Sequence, residues 1–176
     1  MSEIATPSQT VGPFFHIGLE RIARNDLTDG NAQSVKISGQ VLDGDGKTVI
    51  DALIEIWQAD RDGNYGGNFN GYGRVATDDH GAFSFTTFKP GRASGVDGQL
   101  QAPHIAVNVF MRGLLKHLVT RIYFSGEPSN DTDGVLQSVP VARRETLIAT
   151  PAAGSEQNLT WNIVLQGERE TVFFDC

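Results

Sequence analysis

The sequence predicts an all-β fold: an antiparallel β-sandwich of many short strands with little helix. Apolar and polar residues alternate over residues 35–41 and again over 83–86, which is the period of a half-buried strand. Asp-Gly pairs such as Asp43-Gly44 follow or precede these segments, and such pairs suit turn positions with left-handed backbone. Short alternating segments divided by turn signals are typical of a β-sandwich.

The individual elements follow from the same pattern. We predict strands over residues 35–41, 53–57, 83–86, 105–111, 119–124, 159–165 and 172–174. Residues 20–34, 60–73 and 91–98 are predicted to be loops, and the second of these holds five glycines. The one helix-like stretch covers residues 142–149.

The first 18 residues are predicted to form an extended arm without regular helix, because their prolines remove backbone donors and restrict the preceding residues. The arm carries Phe14 and Phe15, which would be costly to expose together, so we expect it to dock on another surface. The predicted organisation is a single domain over residues 1–176, with the arm over 1–18 and the sandwich core over 35–176.

Composition excludes several classes of function. The chain has 176 residues and a net charge of -7, and an acidic surface argues against a nucleic-acid partner. No apolar run is long enough for a membrane span, and the N-terminus lacks the pattern of a secretory signal. The only cysteine is Cys176, so no disulfide can form within the chain, and we expect a cytoplasmic protein.

Motifs that carry chemistry by themselves are absent. No two of the four histidines have the close spacing of a local metal site, and no Gly-x-Ser-x-Gly nucleophile motif occurs. His104 differs from the others because it enters an apolar strand directly after Pro103. A histidine in such a place is most often a core or pocket-edge residue. The residues taken one by one therefore leave the function open.

Blocks spread from one end of the chain to the other carry a resemblance. They are Thr-Pro-Ser-Gln-Thr-x-Gly-Pro at 6–13, Ile-Trp-Gln-Ala-Asp at 56–60, Phe-x-Arg-Gly at 110–113, Thr-Arg-x-Tyr-Phe at 120–124, Arg-Arg-Glu-Thr-Leu-Ile-Ala at 143–149 and the segment 163–175. In these blocks the chain resembles the intradiol ring-cleaving dioxygenases. Within that family it is similar to the α subunits of enzymes that pair an α with a homologous β subunit.

The resemblance also concerns an iron site, because the catalytic chains of this family bind a ferric ion through two Tyr and two His. Tyr65 and His104 stand at two of these ligand positions, whereas Ala93 and Ala106 stand at the other two. Gln101 replaces an arginine of the catalytic chains. The resemblance therefore implies that this chain has no complete catalytic set, that it binds no metal, and that Tyr65 and His104 are vestigial.

The resemblance further implies a β partner that holds Fe(III) and a catechol substrate, protocatechuate, bound at the α/β interface. The ring would be cleaved with O2 between its hydroxylated carbons to give 3-carboxy-cis,cis-muconate, and this chain would be inactive alone. Thr10, Gly12 and Pro13 of the arm are implied to approach the substrate. Arg112 is implied to face the same pocket, where its guanidinium binds the ring carboxylate or a neighbouring acid.

Two other interpretations compete with this one. The first is a stand-alone intradiol enzyme with altered ligands, which is disfavoured because Ala93 and Ala106 have no donor atom for a metal. The second is a transthyretin-like β-sandwich that acts as a binding or structural module, since such modules share the pattern of residues 39–85. It is disfavoured because the arm and the C-terminal block have no role in a generic sandwich.

Overall fold

The computed structural model describes residues 6–28, 34–96 and 98–175. Residues 1–5 of the predicted arm, parts of the predicted loops 20–34 and 91–98, and Cys176 lie outside the described residues. The strands within the described ranges are β1 Val35–Leu42, β2 Leu53–Gln58, β3 Tyr72–Ala76, β4 Ala82–Thr87, β5 His104–Phe110, β6 Leu118–Phe124, β7 Ile148–Ala152, β8 Ser155–Thr160 and β9 Ile163–Val164. The helices are α1 Pro13–Glu20, α2 Gly134–Ser138 and the 3-10 helices Pro128–Thr132 and Val141–Leu147. None of these helices is long and apolar enough to cross a membrane.

The strands pair in one continuous path, in the order β3-β2-β5-β6-β7-β8-β1-β4, and β9 pairs with β1. The end strands β3 and β4 also lie close to each other, so the sheet is nearly closed. This confirms a fold that is mainly β with few helices, but the pairing does not by itself divide the strands into the two layers of the predicted sandwich.

The predicted antiparallel pairing was wrong for three strand pairs. Strand β1 runs parallel to β8 and to β9, and β6 runs parallel to β7. A parallel pair needs a long crossover connection, and the helical segment between β6 and β7 provides one. The predicted strand 172–174 contributes only an isolated bridge between Val119 and Phe174.

The larger of two buried apolar clusters among the described residues is built from both halves of this path. Ile37 and Phe85 enter it from β1 and β4, and Ile56, Val107 and Ile122 enter it from β2, β5 and β6. Because side chains alternate along a strand, the neighbours of these residues face away from the core. That outer face carries His104 at the start of β5, and Trp57 of β2, on which Tyr65 from the following loop stacks.

The predicted strand 159–165 is divided into β8 and β9 by a close approach to β1. The backbone N–H of Trp161 donates to the Ser38 carbonyl at 3.0 Å. A Cβ atom at Gly39 would lie 1.7 Å from the Trp161 carbonyl oxygen, so a side chain there would collide with the backbone between β8 and β9. Glycine at position 39 therefore allows this backbone to approach β1 closely where the two short strands meet.

Two further boundaries differ from the sequence prediction. Strand β3 begins at Tyr72, inside the predicted loop 60–73, because it pairs along β2 from Leu53 to Trp57. The helix-like stretch 142–149 is a 3-10 helix that gives way to β7 at Ile148. In both places a partner strand that is distant in sequence decides the local conformation, which a local pattern does not contain.

The prediction that the arm contains no regular helix was also wrong, since α1 spans Pro13–Glu20. Pro13 occupies the first turn, where its missing N–H leaves no hydrogen bond unmade and its fixed φ suits the helix. The Phe15 ring packs against Phe110 of β5 with centroids 5.4 Å apart. Phe14 is 84% exposed and Ile17 is 53% exposed, so the docked helix still presents apolar side chains to its surroundings.

Candidate functional site

The arm is attached to the turn that follows β5. The backbone N–H of Gly113 donates to the Thr10 hydroxyl oxygen at 2.8 Å. Gly113 has a φ of 91°, a left-handed conformation that favours glycine. Phe15 of the arm also packs against Phe110, the last residue of β5. These two attachments set the start of α1 beside Arg112.

A cavity of about 230 Å³ lies where α1, the start of β2 and the end of β5 meet. Gly12, Pro13 and Arg112, which the resemblance assigns to the substrate pocket, are among the residues that line it. Thr10 does not line the cavity, and its hydroxyl accepts the hydrogen bond from Gly113 that fixes the arm. The volume is below the ~300 Å³ at which small-molecule pockets usually begin, so the cavity has the size of one part of a larger site.

An ion pair forms the polar edge of this cavity. Arg112 donates from Nε to a carboxylate oxygen of Asp51, and both residues line the cavity. Within the described residues, this is the only hydrogen bond of the Arg112 side chain. His16 also lines the cavity, and its Nε2 is buried without a partner in that same part of the chain. Sequence reasoning missed Asp51 and His16, because no motif marks either of them.

His104 and Tyr65, which the resemblance places at two ligand positions, differ in their burial. His104 is buried, and its Nδ1 lies 2.8 Å from the carbonyl oxygen of Ala102. Burial, together with the positive charge of Arg121, lowers the pKa of His104. Tyr65 is half-exposed and stacks on Trp57 with centroids 6.0 Å apart. Burial raises the pKa of Tyr65 despite the opposing charge of Arg121, so its phenol is protonated at neutral pH.

Arg121 lies beside Ala106, the position where the resemblance puts the second histidine ligand of the catalytic chains. Ala106 of β5 is in register with Trp57 of β2 on one side and with Arg121 of β6 on the other. The Arg121 guanidinium donates to the Gln101 side-chain oxygen at 3.2 Å. Ala93 is buried and offers only a methyl group. A permanent cation therefore lies next to the small side chain of Ala106.

A buried hydrogen-bond network supports the strand that carries His104. The Tyr123 hydroxyl donates to the Asp133 carboxylate at 3.0 Å, and the Ala102 backbone N–H donates to the same carboxylate at 2.7 Å. Burial raises the pKa of Tyr123, so its phenol remains a donor. The ring centroids of Tyr123 and His104 lie 5.8 Å apart, but the Tyr123 hydroxyl donates to Asp133 and not to His104. Sequence reasoning quoted Tyr123 inside a block without assigning it this role.

These residues do not fit a ferric ion. Iron(III) requires several anionic or neutral donors around one point, whereas this region offers one histidine, one protonated phenol and two alanine methyl groups. The positive charge of Arg121 acts on both His104 and Tyr65 and would repel a metal cation. In the part of the chain that the structure describes, no three His, Cys, Asp or Glu side chains are grouped so that they could hold a metal.

Comparison with known proteins places this geometry in a family. The Dioxygenase family model matches residues 17–167. The protocatechuate 3,4-dioxygenase alpha chain of Pseudomonas putida is 40% identical over 192 aligned residues, which cover 97% of this chain and 96% of that one. The protocatechuate 3,4-dioxygenase beta chain of Burkholderia cepacia is 32% identical, across 93% of this chain and 77% of that one.

The fold agrees with solved relatives as well. The dioxygenase domain of a carbohydrate-binding fusion protein from Streptomyces sp. SirexAA-E superposes with a TM-score of 0.66 at 28% identity, and the match covers 85% of this chain and 89% of that domain. The resemblance found in the sequence blocks is thus confirmed along almost the whole chain. The chain belongs to the intradiol dioxygenase family.

Proposed function

We propose that this chain is the iron-free α subunit of a protocatechuate 3,4-dioxygenase and that it acts only together with a homologous, iron-bearing β subunit. The observation that carries the proposal is the combination of near full-length similarity to an α chain with ligand positions that do not fit a ferric ion. A chain that keeps the family fold and cannot hold the metal requires a partner that does. The cytoplasmic location expected from the sequence belongs to the same proposal.

The ferric ion of the β subunit would supply the activation of the catechol towards O2, with ring opening between the two hydroxylated carbons. This chain would contribute one wall of the substrate pocket. Gly12 and Pro13 line the cavity beside Arg112, where the arm excludes water from one side. Arg112 is the only basic side chain that lines this cavity, apart from His16, and a guanidinium binds carboxylates strongly. Its role in the proposal is to bind the ring carboxylate of the substrate.

The proposed β contact lies on the apolar surface around α1. Phe14, Ile17 and Ile22 are exposed there, although such side chains are normally buried in a protein or in an interface. Covering them would remove apolar area from water in the middle of an interface. The arm over residues 1–18 and the core over 35–176 would then act as one domain, with the arm as its contact with β.

The test is to produce the chain together with an iron-bearing β homologue and to compare the complex with the isolated chain. The complex is expected to convert protocatechuate, whereas the chain alone converts none. A correctly assembled, iron-loaded complex that leaves protocatechuate unchanged would contradict the proposal.

Arg112→Leu tests the assigned contact within that complex. Losing a charge-assisted hydrogen bond typically costs about 1.5–3 kcal/mol, which corresponds to a rise in KM of roughly ten- to a hundredfold. Iron content and melting temperature should change little. Arg169→Leu is the matched control, since Arg169 is exposed and lines a different cavity. If Arg112→Leu lost assembly while the surviving complex kept a normal KM, the residue would support the interface instead of the substrate.

A further inference from the structure

The ion pair between Arg112 and Asp51 follows from the strand register. Strands β2 and β5 are antiparallel, and Leu53 pairs with Phe110. Two residues beyond this pair, at the ends of the two strands, Asp51 and Arg112 stand opposite each other on one face. Opposite charges at directly facing positions attract across a strand pair. The contact is therefore built into the sheet and does not depend on the arm.

This contact involves only one nitrogen of the Arg112 guanidinium. Asp51 accepts from Nε only, and across the described residues neither terminal nitrogen of Arg112 has a protein acceptor. The Asp51 side chain is 24% exposed, whereas the Arg112 side chain is 64% exposed. A guanidinium carries five donors in a rigid planar fork, so fixing Nε also fixes the direction of the remaining donors.

We propose that Asp51 is a positioning residue, which binds Arg112 through Nε and thereby presents the terminal nitrogens of the guanidinium as a fork for the carboxylate of the substrate. This inference rests on the proposed function, and it adds Asp51 as the residue that orients Arg112 towards the substrate carboxylate. Without Asp51, a side chain as exposed as Arg112 samples many rotamers. Substrate binding must then immobilise it, which costs free energy that the unsubstituted chain does not lose at that step.

The negative charge of Asp51 also repels the substrate carboxylate, which by itself would weaken substrate binding. Two substitutions separate the effects. Asp51→Ala removes both the acceptor and the charge, and Asp51→Asn removes the charge but keeps an oxygen that accepts from Nε. If orientation dominates, Asp51→Ala raises KM and Asp51→Asn restores most of the loss. If repulsion dominates, both variants lower KM.

The experiment uses the α/β complex with protocatechuate and with catechol, which lacks the carboxylate. We expect Asp51→Ala to raise the KM for protocatechuate about two- to tenfold, the range for immobilising one long side chain, while kcat changes less. The KM for catechol should stay near that of the unsubstituted complex. In an Arg112→Leu background, Asp51→Ala should add nothing, because the side chain that it orients is gone. Asp45→Ala is the control, as Asp45 also pairs with a cation, Lys47, on an exposed surface.

An unchanged or lowered KM for protocatechuate in Asp51→Ala overturns the inference, and so does an equal loss with both substrates. If the Asp51→Ala chain does not assemble with the β subunit, the Arg112→Lys variant tests the inference instead. A single ammonium group cannot bind Asp51 and present a fork, so a lysine variant with normal KM also overturns it. Failure of the proposed function is distinguishable, because the unsubstituted complex would then not convert protocatechuate at all.

Discussion

The buried carboxylate of Asp133 predicts where the fold is most sensitive to a single substitution. Asp133 is fully buried and accepts from the Tyr123 hydroxyl at 3.0 Å, from the Ala102 backbone N–H at 2.7 Å and from the Leu136 backbone N–H at 2.8 Å. The last contact caps helix α2, and the second fixes the backbone just before His104. Asp133→Ala removes all three acceptor contacts at once.

The expected loss follows from these three donors. Each buried donor that is left without a partner costs about 1–3 kcal/mol, and the loss of a helix cap by itself costs about 1 kcal/mol. This loss is partly offset, because burying the carboxylate of Asp133 costs several kcal/mol of hydration free energy and burying alanine does not. We therefore expect Asp133→Ala to lower the free energy of unfolding by about 3 kcal/mol.

Urea denaturation of the chain, followed by circular dichroism, measures this change, and thermal melting of the complex provides a second readout. Asp131→Ala is the matched control, since Asp131 is an exposed neighbour in the preceding 3-10 helix. Tyr123→Phe should cost about 1 kcal/mol in the unsubstituted chain and nearly nothing beside Asp133→Ala, because its acceptor is then already gone. A loss below about 1 kcal/mol for Asp133→Ala would refute the reasoning, since the three donors would then have other partners.

Three further predictions concern iron, assembly and pH. The isolated chain should purify colourless and without stoichiometric iron, because Ala93 and Ala106 provide no ligand; iron analysis with a visible tyrosinate band would contradict this. Deleting residues 1–15 should weaken assembly or turnover while circular dichroism stays that of a folded β protein, and a deleted chain that assembles and turns over normally would show that the arm is dispensable. Burial raises the pKa of Glu127, but hydrogen bonds from Lys89 and from Ser129 outweigh it and lower the pKa to about 2. This carboxylate therefore stabilises the fold above its unfolded pKa of 4.5 and loses that effect as the pH falls towards 2. Lys89→Met should thus cost about 1 kcal/mol at pH 7, a value limited by the exposure of Lys89, and much less at pH 2 in urea titrations.

The sequence by itself determined the coarse class of fold, which is mainly β with few helices. Period-two alternation is a local property, so the strands around Ile37, Ile56, Phe85 and Val107 were predicted at nearly the observed positions. The chemistry of Ala93 and Ala106 is also a local property, because an alanine side chain has no donor atom for a metal in any fold. Arg112, Gly12 and Pro13 do line one cavity, and their role towards a substrate stays a prediction.

Tertiary structure alone decided which residues meet. Asp51 and Arg112 are 61 positions apart in sequence, and only the register of β2 with β5 sets them opposite each other. Strand register likewise brings the cation of Arg121 beside Ala106. Helix α1 is stabilised by the packing of Phe15 against Phe110 of β5, a contact between residues distant in sequence. Hydrogen bonds and ion pairs between distant strands depend on a fixed alignment of backbones, and a pattern within one segment does not contain that alignment.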